Sequence, residues 1–158
     1  MNFDAIDLKI LDVLQTDGRI TNSKLADMAN ISAPGMLDRV KRLEKSGVIR
    51  QYVALVDNAK VGRGLVAMVS VSLAIHQLSS VSDFANEIIG LEEVLECYHI
   101  AGDDDFLLKV AVRDMQEYQE FVLNKLSKIE GVSKIKTSMV LAAIKNESKV
   151  PVNLNGGQ

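Results

Sequence analysis

Apolar residues recur at helical spacing through the first fifty positions and at alternate positions for much of the rest, so the chain changes its structural period midway. Ile6, Ile10, Val13 and Leu14 share one side of a first amphipathic helix, with Asp4 placed to cap it and Gly18 to end it. From Ile20 to Arg50 the chain reads ITNSKLADMANISAPGMLDRVKRLEKSGVIR, which predicts two more short helices divided by a tight turn. Thr21 caps the first of these, and Ile20 and Leu25 stand where a hydrophobic staple closes. Ser32 caps the second, with Ile31 and Met36 as its staple. Asn30 falls where the first must stop, and asparagine tolerates the left-handed conformation of such a stop. Two capped helices this close together cross steeply, which is the helix-turn-helix arrangement. On the second, Met36, Val40 and Leu43, helped by Leu37, point inward, whereas Gly35, Asp38, Arg39 and Arg42 point away.

Gly47 stops that helix. Val48 to Val56 is rich in β-branched and aromatic residues and predicts a strand, either a wing or an arm leading out of the head. The run DNAKVGRG at 57–64 then breaks the pattern and marks a boundary. From Leu65 to His76 residues alternate strictly. Leu65, Ala67, Val69, Val71, Leu73 and Ile75 form an apolar face, and the opposite face is mixed but hardly charged, which suits burial against a second sheet. Ser80 or Ser82 opens a helix with Val81, Phe84, Ala85, Ile88 and Ile89 on one side. Strands are expected over Val94–Ala101 and Phe106–Val112, joined by a turn at Gly102-Asp103-Asp104-Asp105. Asp114 caps a helix carrying Tyr118, Phe121, Val122, Leu126 and Ile129 inward, Gly131 ends it, and Val132–Lys145 is the last strand. The order β-α-β-β-α-β is that of a ferredoxin-like domain.

The expected fold is therefore α+β: an N-terminal three-helix winged helix-turn-helix over residues 1–50, a strand or linker arm over 51–63, a ferredoxin-like domain over 64–146 and a flexible tail over 147–158. Composition narrows what this fold can do. A hydrophobic content of 47% with 25% charged residues is ordinary for a globular protein. No apolar run approaches the ~20 residues that span a bilayer, and the N-terminus does not begin a secretory signal. The single cysteine, Cys97, excludes an internal disulfide framework and fits a reducing cytoplasm. With no Trp and 4% aromatic residues, base stacking on single strands is disfavoured.

The net charge of −3 hides an asymmetry. Residues 1–60 carry nine basic and eight acidic side chains, and the remainder nine and thirteen. Positive charge gathers at Arg39, Lys41, Arg42, Lys45 and Arg50, with Glu44 as the one acidic residue among them. A basic second helix presented by a turn is shaped to enter the major groove of double-stranded DNA. Its candidate contacts are Ser32, Ala33, Pro34 and Gly35 at the N-terminus, then Asp38, Arg39, Lys41, Arg42, Lys45 and Arg50. One such head makes few phosphate contacts, so useful affinity calls for several copies bound together.

Other chemistries are weakly represented. Cys97 and His99 share a strand face, but structural zinc requires four ligands and His76 is the one other histidine. His76, at a strand end, reads as a surface residue. There is no P-loop, no GxGxxG and no nucleophile–histidine–acid order. The Asp103-Asp104-Asp105 turn reads most simply as a solvated hairpin, with recognition of a ligand amine as the alternative.

The run DLKILDVLQTDGRITNSKLADMANISAPGMLDRVKRLEKSGVIRQYVALVD resembles the head of the leucine-responsive/asparagine-regulator (Lrp/AsnC, or feast/famine) family of transcription factors, and ECYHIAGDDDFLLKVAVRDMQEYQEFV followed by GVSKIKTSMVL resembles its ligand-sensing domain. The resemblance covers roughly residues 4–146. It implies a homodimer built through sheets and arms, assembling to tetramers or octamers, and a small effector such as an amino acid held between dimers. On the residue grounds given above, no cofactor, catalytic residue, metal or membrane is expected. Carried onto this sequence, the effector residues are Ile100, Gly102, Asp103, Asp105, Phe106, Met115, Ser138, Met139 and Val140. Asp38 stands where the family often has a basic residue. Two alternatives share the fold: a sirohaem-type tetrapyrrole decarboxylase, and an effector sensor that does not itself bind DNA.

Overall fold

A computed structural model describes residues 2–74 and 78–152, with the side chains of 78–80 excepted. The chain forms two compact units, residues 1–55 with 145–158, and residues 56–144. The expected ends of the strand at Ile75 and His76 lie outside the described residues.

In the first unit, α1 spans Ala5–Leu14, α2 Asn22–Ala29 and α3 Ala33–Lys45. The caps expected from sequence are present. Asp4 accepts from the Asp7 amide at 2.8 Å and the Asp7 carboxylate accepts in return from the Asp4 amide, closing a capping box. Thr21 and Ser32 each accept an amide hydrogen three residues ahead, from Lys24 and Gly35 at 3.3 Å. Asn30 ends α2 in the left-handed region at φ 52°, ψ 46°. Ile10, Leu25, Ala26, Met36, Val40 and Leu43 form the core, with Ile20 and Ile31 packed at its edge. Leu37, expected to help that core, is exposed instead.

Two segments depart from expectation. Residues 51–56 contain no strand, and Val53, Leu55 and Val56 are exposed. Their β-branched character favours an extended backbone, but a strand needs a hydrogen-bonded neighbour, and none is described within the chain. The tail, expected to be flexible over 147–158, is held to α1 within its described part. The Gln15 amide donates to the Val150 carbonyl at 2.9 Å and accepts from the Val150 amide at 2.7 Å, while the Lys149 ammonium lies 2.7 Å from Asp12.

The second unit holds β1 (Leu65–Leu73), α4 (Leu78–Ile89), β2 (Val94–His99), β3 (Phe106–Val112), α5 (Met115–Asn124), a 3-10 turn at Leu126–Lys128 and β4 (Val132–Met139). The strands form one antiparallel sheet in the order β2-β3-β1-β4, as a ferredoxin-like domain requires. Alternation sorts the faces: Ala67, Val69, Val71 and Leu73 are buried with Phe84, Ile88, Tyr118 and Phe121 from the helices, whereas Val66, Met68, Ser70 and Ser72 are only half-buried. Asp114 caps α5 through the Glu117 amide at 2.8 Å. The last strand stops at Met139 rather than Lys145. Its partner β1 begins at Leu65, and the pairing ends with the Val140 amide donating to the Val66 carbonyl at 2.9 Å.

Candidate DNA interface and effector site

The turn between α2 and α3 presents the first residues of α3 to solvent. Ser32, Ala33 and Pro34 are exposed, Gly35 is half-buried, and Ser32 holds the helix end through its cap. Proline inside the first turn removes an amide that has no helical acceptor, so it favours this start. Further along, Asp38, Lys41, Arg42, Lys45 and Ser46 line a shallow depression of about 350 Å³ on the outer face of α3. Arg50 is exposed beyond the helix end.

Arg39 and Arg42 do not stand free on that face. One terminal nitrogen of Arg39 lies 2.7 Å from an Asp4 oxygen and 2.8 Å from an Asp7 oxygen. One terminal nitrogen of Arg42 lies 2.7 and 2.6 Å from the two oxygens of Asp7. The Asp7 side chain is 3% exposed, so α1 offers a buried carboxylate to two guanidiniums of α3. The Asp4 carboxyl is held below the usual carboxylate range, first by the Asp7 amide and then by Arg39, and the same two acids push the Arg39 guanidinium upward. Helical spacing places these arginines outward. It does not reveal that their side chains fold back over thirty residues of sequence to α1.

At the exit of α3, the Tyr52 hydroxyl donates to Glu44 at 3.0 Å. Burial, followed by that hydrogen bond, pushes its pKa up to about 12. Tyr52 was not among the sequence candidates; a lone tyrosine in a β-like run gives no sign of a helix contact.

The nine effector candidates fall into two groups. Ile100, Gly102, Asp103, Asp105 and Phe106 surround the β2–β3 turn, which lies against the C-terminal end of β1. Here the Asp105 amide donates to Val71 at 3.0 Å, its carbonyl accepts from Ile100 at 2.9 Å, and its carboxylate accepts from the Leu73 amide at 2.7 Å. Asp104, absent from the candidates, joins the turn to two strands: it accepts from the Ser72 hydroxyl at 3.0 Å and pairs with Lys136 at 2.7 Å. Lys136 in turn holds the Asp104 carboxyl low. Asp103 is exposed and bonds to nothing among the described residues. Gly102 adopts φ 154° with open space around it. Phe106 points into the core, its ring 4.4 Å from Phe84 and 5.1 Å from His99.

Met115, Ser138, Met139 and Val140 lie at the other end of the sheet. Met139 and Ser138 pair with Ala67 and Met68, near the start of β1, and Met115 follows β3 where Val112 pairs with Leu65. Met115 is 55% exposed. Phe106 on β3 pairs with Val71 and Ser138 on β4 with Met68, so these members of the two groups are three residues apart along β1, about 10 Å, and two strand spacings apart across it, about 10 Å more. A single chain therefore does not bring its two groups to one small ligand. Cys97 lies exposed on β2, its thiol raised by burial of its surroundings, and His76 is outside the described residues. Among the described residues no three metal-binding side chains come together, and no helix is long and apolar enough to cross a membrane.

Comparison with known proteins bears on both sites. A winged helix-turn-helix DNA-binding family model matches residues 3–50, and an Lrp/AsnC ligand-binding-domain model matches residues 66–150. The leucine-responsive regulatory protein of Rhizobium meliloti is 38% identical over 96% of this chain and 97% of its own length. The HTH-type transcriptional regulator AldR of Mycolicibacterium smegmatis is 38% identical over 93% of this chain and 86% of its own. Among solved structures, the complex of transcriptional regulator NMB0573 from Neisseria meningitidis with L-Met superposes with a TM-score of 0.91, at 38% identity, over 96% of this chain and 97% of that one.

Proposed function

The chain belongs to the Lrp/AsnC family of transcriptional regulators, and from that premise we propose how its two sites divide the work. It is a DNA-binding regulator with an amino-acid-binding domain. The α2–α3 pair reads DNA, with the exposed start of α3 and the cations Lys41, Lys45 and Arg50 making the principal contacts. The effector is an amino acid, its amine recognised at the β2–β3 turn, where Asp103 is the carboxylate without a partner among the described residues.

The observation that carries this reading is the separation of the two effector groups. Because β1 divides them both along its length and across its width, a site using both draws the turn from one subunit and the β4 end from another. Effector binding is then inseparable from assembly, and the exposed arm at 51–56 together with the half-buried sheet face supplies surface for the pairing. The proposed assembly is a homodimer that builds to a tetramer or octamer, working in the cytoplasm without catalytic chemistry.

The test is a promoter-binding titration with each of the twenty amino acids, paired with sedimentation over a dilution series. The expected result is that one effector class alters promoter affinity and shifts the assembly toward the larger species. An effector that binds equally well to subunits diluted below their association range would remove the shared-site reading.

A further inference from the structure

The four charged groups joining α1 to α3 have a consequence for DNA binding beyond holding the head together. Helix α3 carries Arg39, Lys41, Arg42 and Lys45 against Asp38 and Glu44. That surplus of two positive charges is cancelled by Asp4 and Asp7 of α1, whose oxygens sit 2.6–2.8 Å from the two guanidiniums. The recognition helix thus presents almost no net charge although four of its side chains are cationic.

Stability alone does not account for this arrangement. A buried ion pair roughly breaks even against a well-packed apolar substitute of the same volume, and Asp7 is, with Ile10, one of the two buried residues of α1. The partly exposed state of the arginines is more informative. The Arg42 side chain is 54% exposed, and it lines the depression with Lys41 and Lys45 while one of its nitrogens remains on Asp7. The buried acid therefore fixes where this guanidinium stands and offsets its charge.

Resting on the assignment of α3 as the DNA-reading helix, we propose that Asp4 and Asp7 are positioning residues for specificity: they hold Arg39 and Arg42 and suppress their sequence-independent attraction to phosphate. Non-specific affinity comes almost wholly from phosphate neutralisation, each contact adding about 0.9 to the slope of log affinity against log salt. Cancelling two cations lowers that background and leaves base contacts at the start of α3 to decide the site.

The experiment compares wild type, Asp4→Asn and Asp7→Asn by fluorescence anisotropy on promoter DNA and on unrelated duplex of equal length, at salt from 50 to 200 mM. Asparagine keeps a side-chain oxygen and caps helices as well as aspartate does, so Asp4→Asn removes charge with the cap retained. It carries the test alone if Asp7→Asn does not fold. Each variant is expected to bind unrelated DNA more tightly and to steepen its salt slope by about one, equivalent to an extra ~fourfold loss of affinity across that salt range, so that discrimination for the promoter falls. Replacing Arg39 by Gln in Asp4→Asn, or Arg42 by Gln in Asp7→Asn, restores the original charge count and should return the slope to its original value. Folded variants with wild-type slopes and wild-type discrimination would overturn the proposal and leave the acids a purely structural role. A wild-type protein with no salt-dependent binding to either duplex would overturn the DNA-reading assignment itself, and that outcome is visible before any variant is made.

Discussion

Replacing Asp105 by Ala removes the side-chain contacts of that residue in the β2–β3 turn and leaves its backbone bonds to Val71 and Ile100 in place. Among the lost contacts is the 2.7 Å acceptance from the Leu73 amide, at the point where the β1–β4 register shifts. A hydrogen bond to a charged group contributes about 1.5–3 kcal/mol, and the half-buried position lets water recover part of it, leaving about 1–2 kcal/mol. For a domain of this size each kcal/mol moves the midpoint by about 4–8 °C. Thermal unfolding followed by circular dichroism should therefore show the sensing domain melting roughly 4–16 °C lower. Asp103→Ala supplies the contrast. Its carboxylate is exposed and unbonded among the described residues, so its stability should stay within about 0.5 kcal/mol of wild type while calorimetric titration with the effector shows weakened binding. Equal melting of wild type and Asp105→Ala, or equal destabilisation by the two changes, would refute this division between a bolt and a ligand contact.

Further measurements probe other parts of the two units. Phe106→Ala, which removes a ring packed on Phe84, should destabilise the second unit by about 3–5 kcal/mol, read as a lower urea midpoint for that unit. Asp4, Glu96, Asp104 and Glu117 all have carboxyl groups held low by amides, hydroxyls or cations. Each releases its proton more readily when folded, so its contribution is complete above the unfolded range near pH 4 and is lost as pH falls through the lower folded value; urea midpoints should decline below about pH 4. Tyr52 should ionise only near pH 12 in a spectrophotometric titration. Because the fold retains that proton, its contribution holds below the ordinary tyrosine range and fades as pH rises toward 12. Tyr52→Phe should abolish the late step.

What could be read from the sequence was whatever depends on near neighbours. Asp4, Thr21, Ser32 and Asp114 cap helices through amides three residues away, and Asn30 stops α2 by its own conformation. The sheet faces followed from alternation over nine residues of β1. Strand lengths did not follow: β4 stops at Met139, opposite Ala67, although β1 runs on to Leu65, and 51–56 finds no strand partner among the described residues despite its β-branched side chains. Nor did the pairing of Arg39 and Arg42 with Asp7. Periodicity fixes where a Cα lies on a helix, but an arginine is long enough to carry its charge to the opposite side of that boundary.

The same distinction separates two kinds of aspartate in a single turn. Asp103, Asp104 and Asp105 are chemically identical and consecutive, yet Asp104 and Asp105 spend their carboxylates on Ser72, Lys136 and Leu73, and only Asp103 is exposed without such a bond. Two acids make the turn rigid enough to hold the third at a fixed place, which lowers the ordering penalty of binding. In the assembly proposed above, a turn on one subunit facing the end of β4 on another would make a small ligand a link between subunits, since anything that binds only the assembled form stabilises it by mass action. The heads joined through that assembly then gain by effective concentration what each lacks in charge. On that proposal a near-neutral recognition helix and a divided effector site are complementary: weak single heads would leave the decision to bind with the assembly, and the assembly would depend on the ligand.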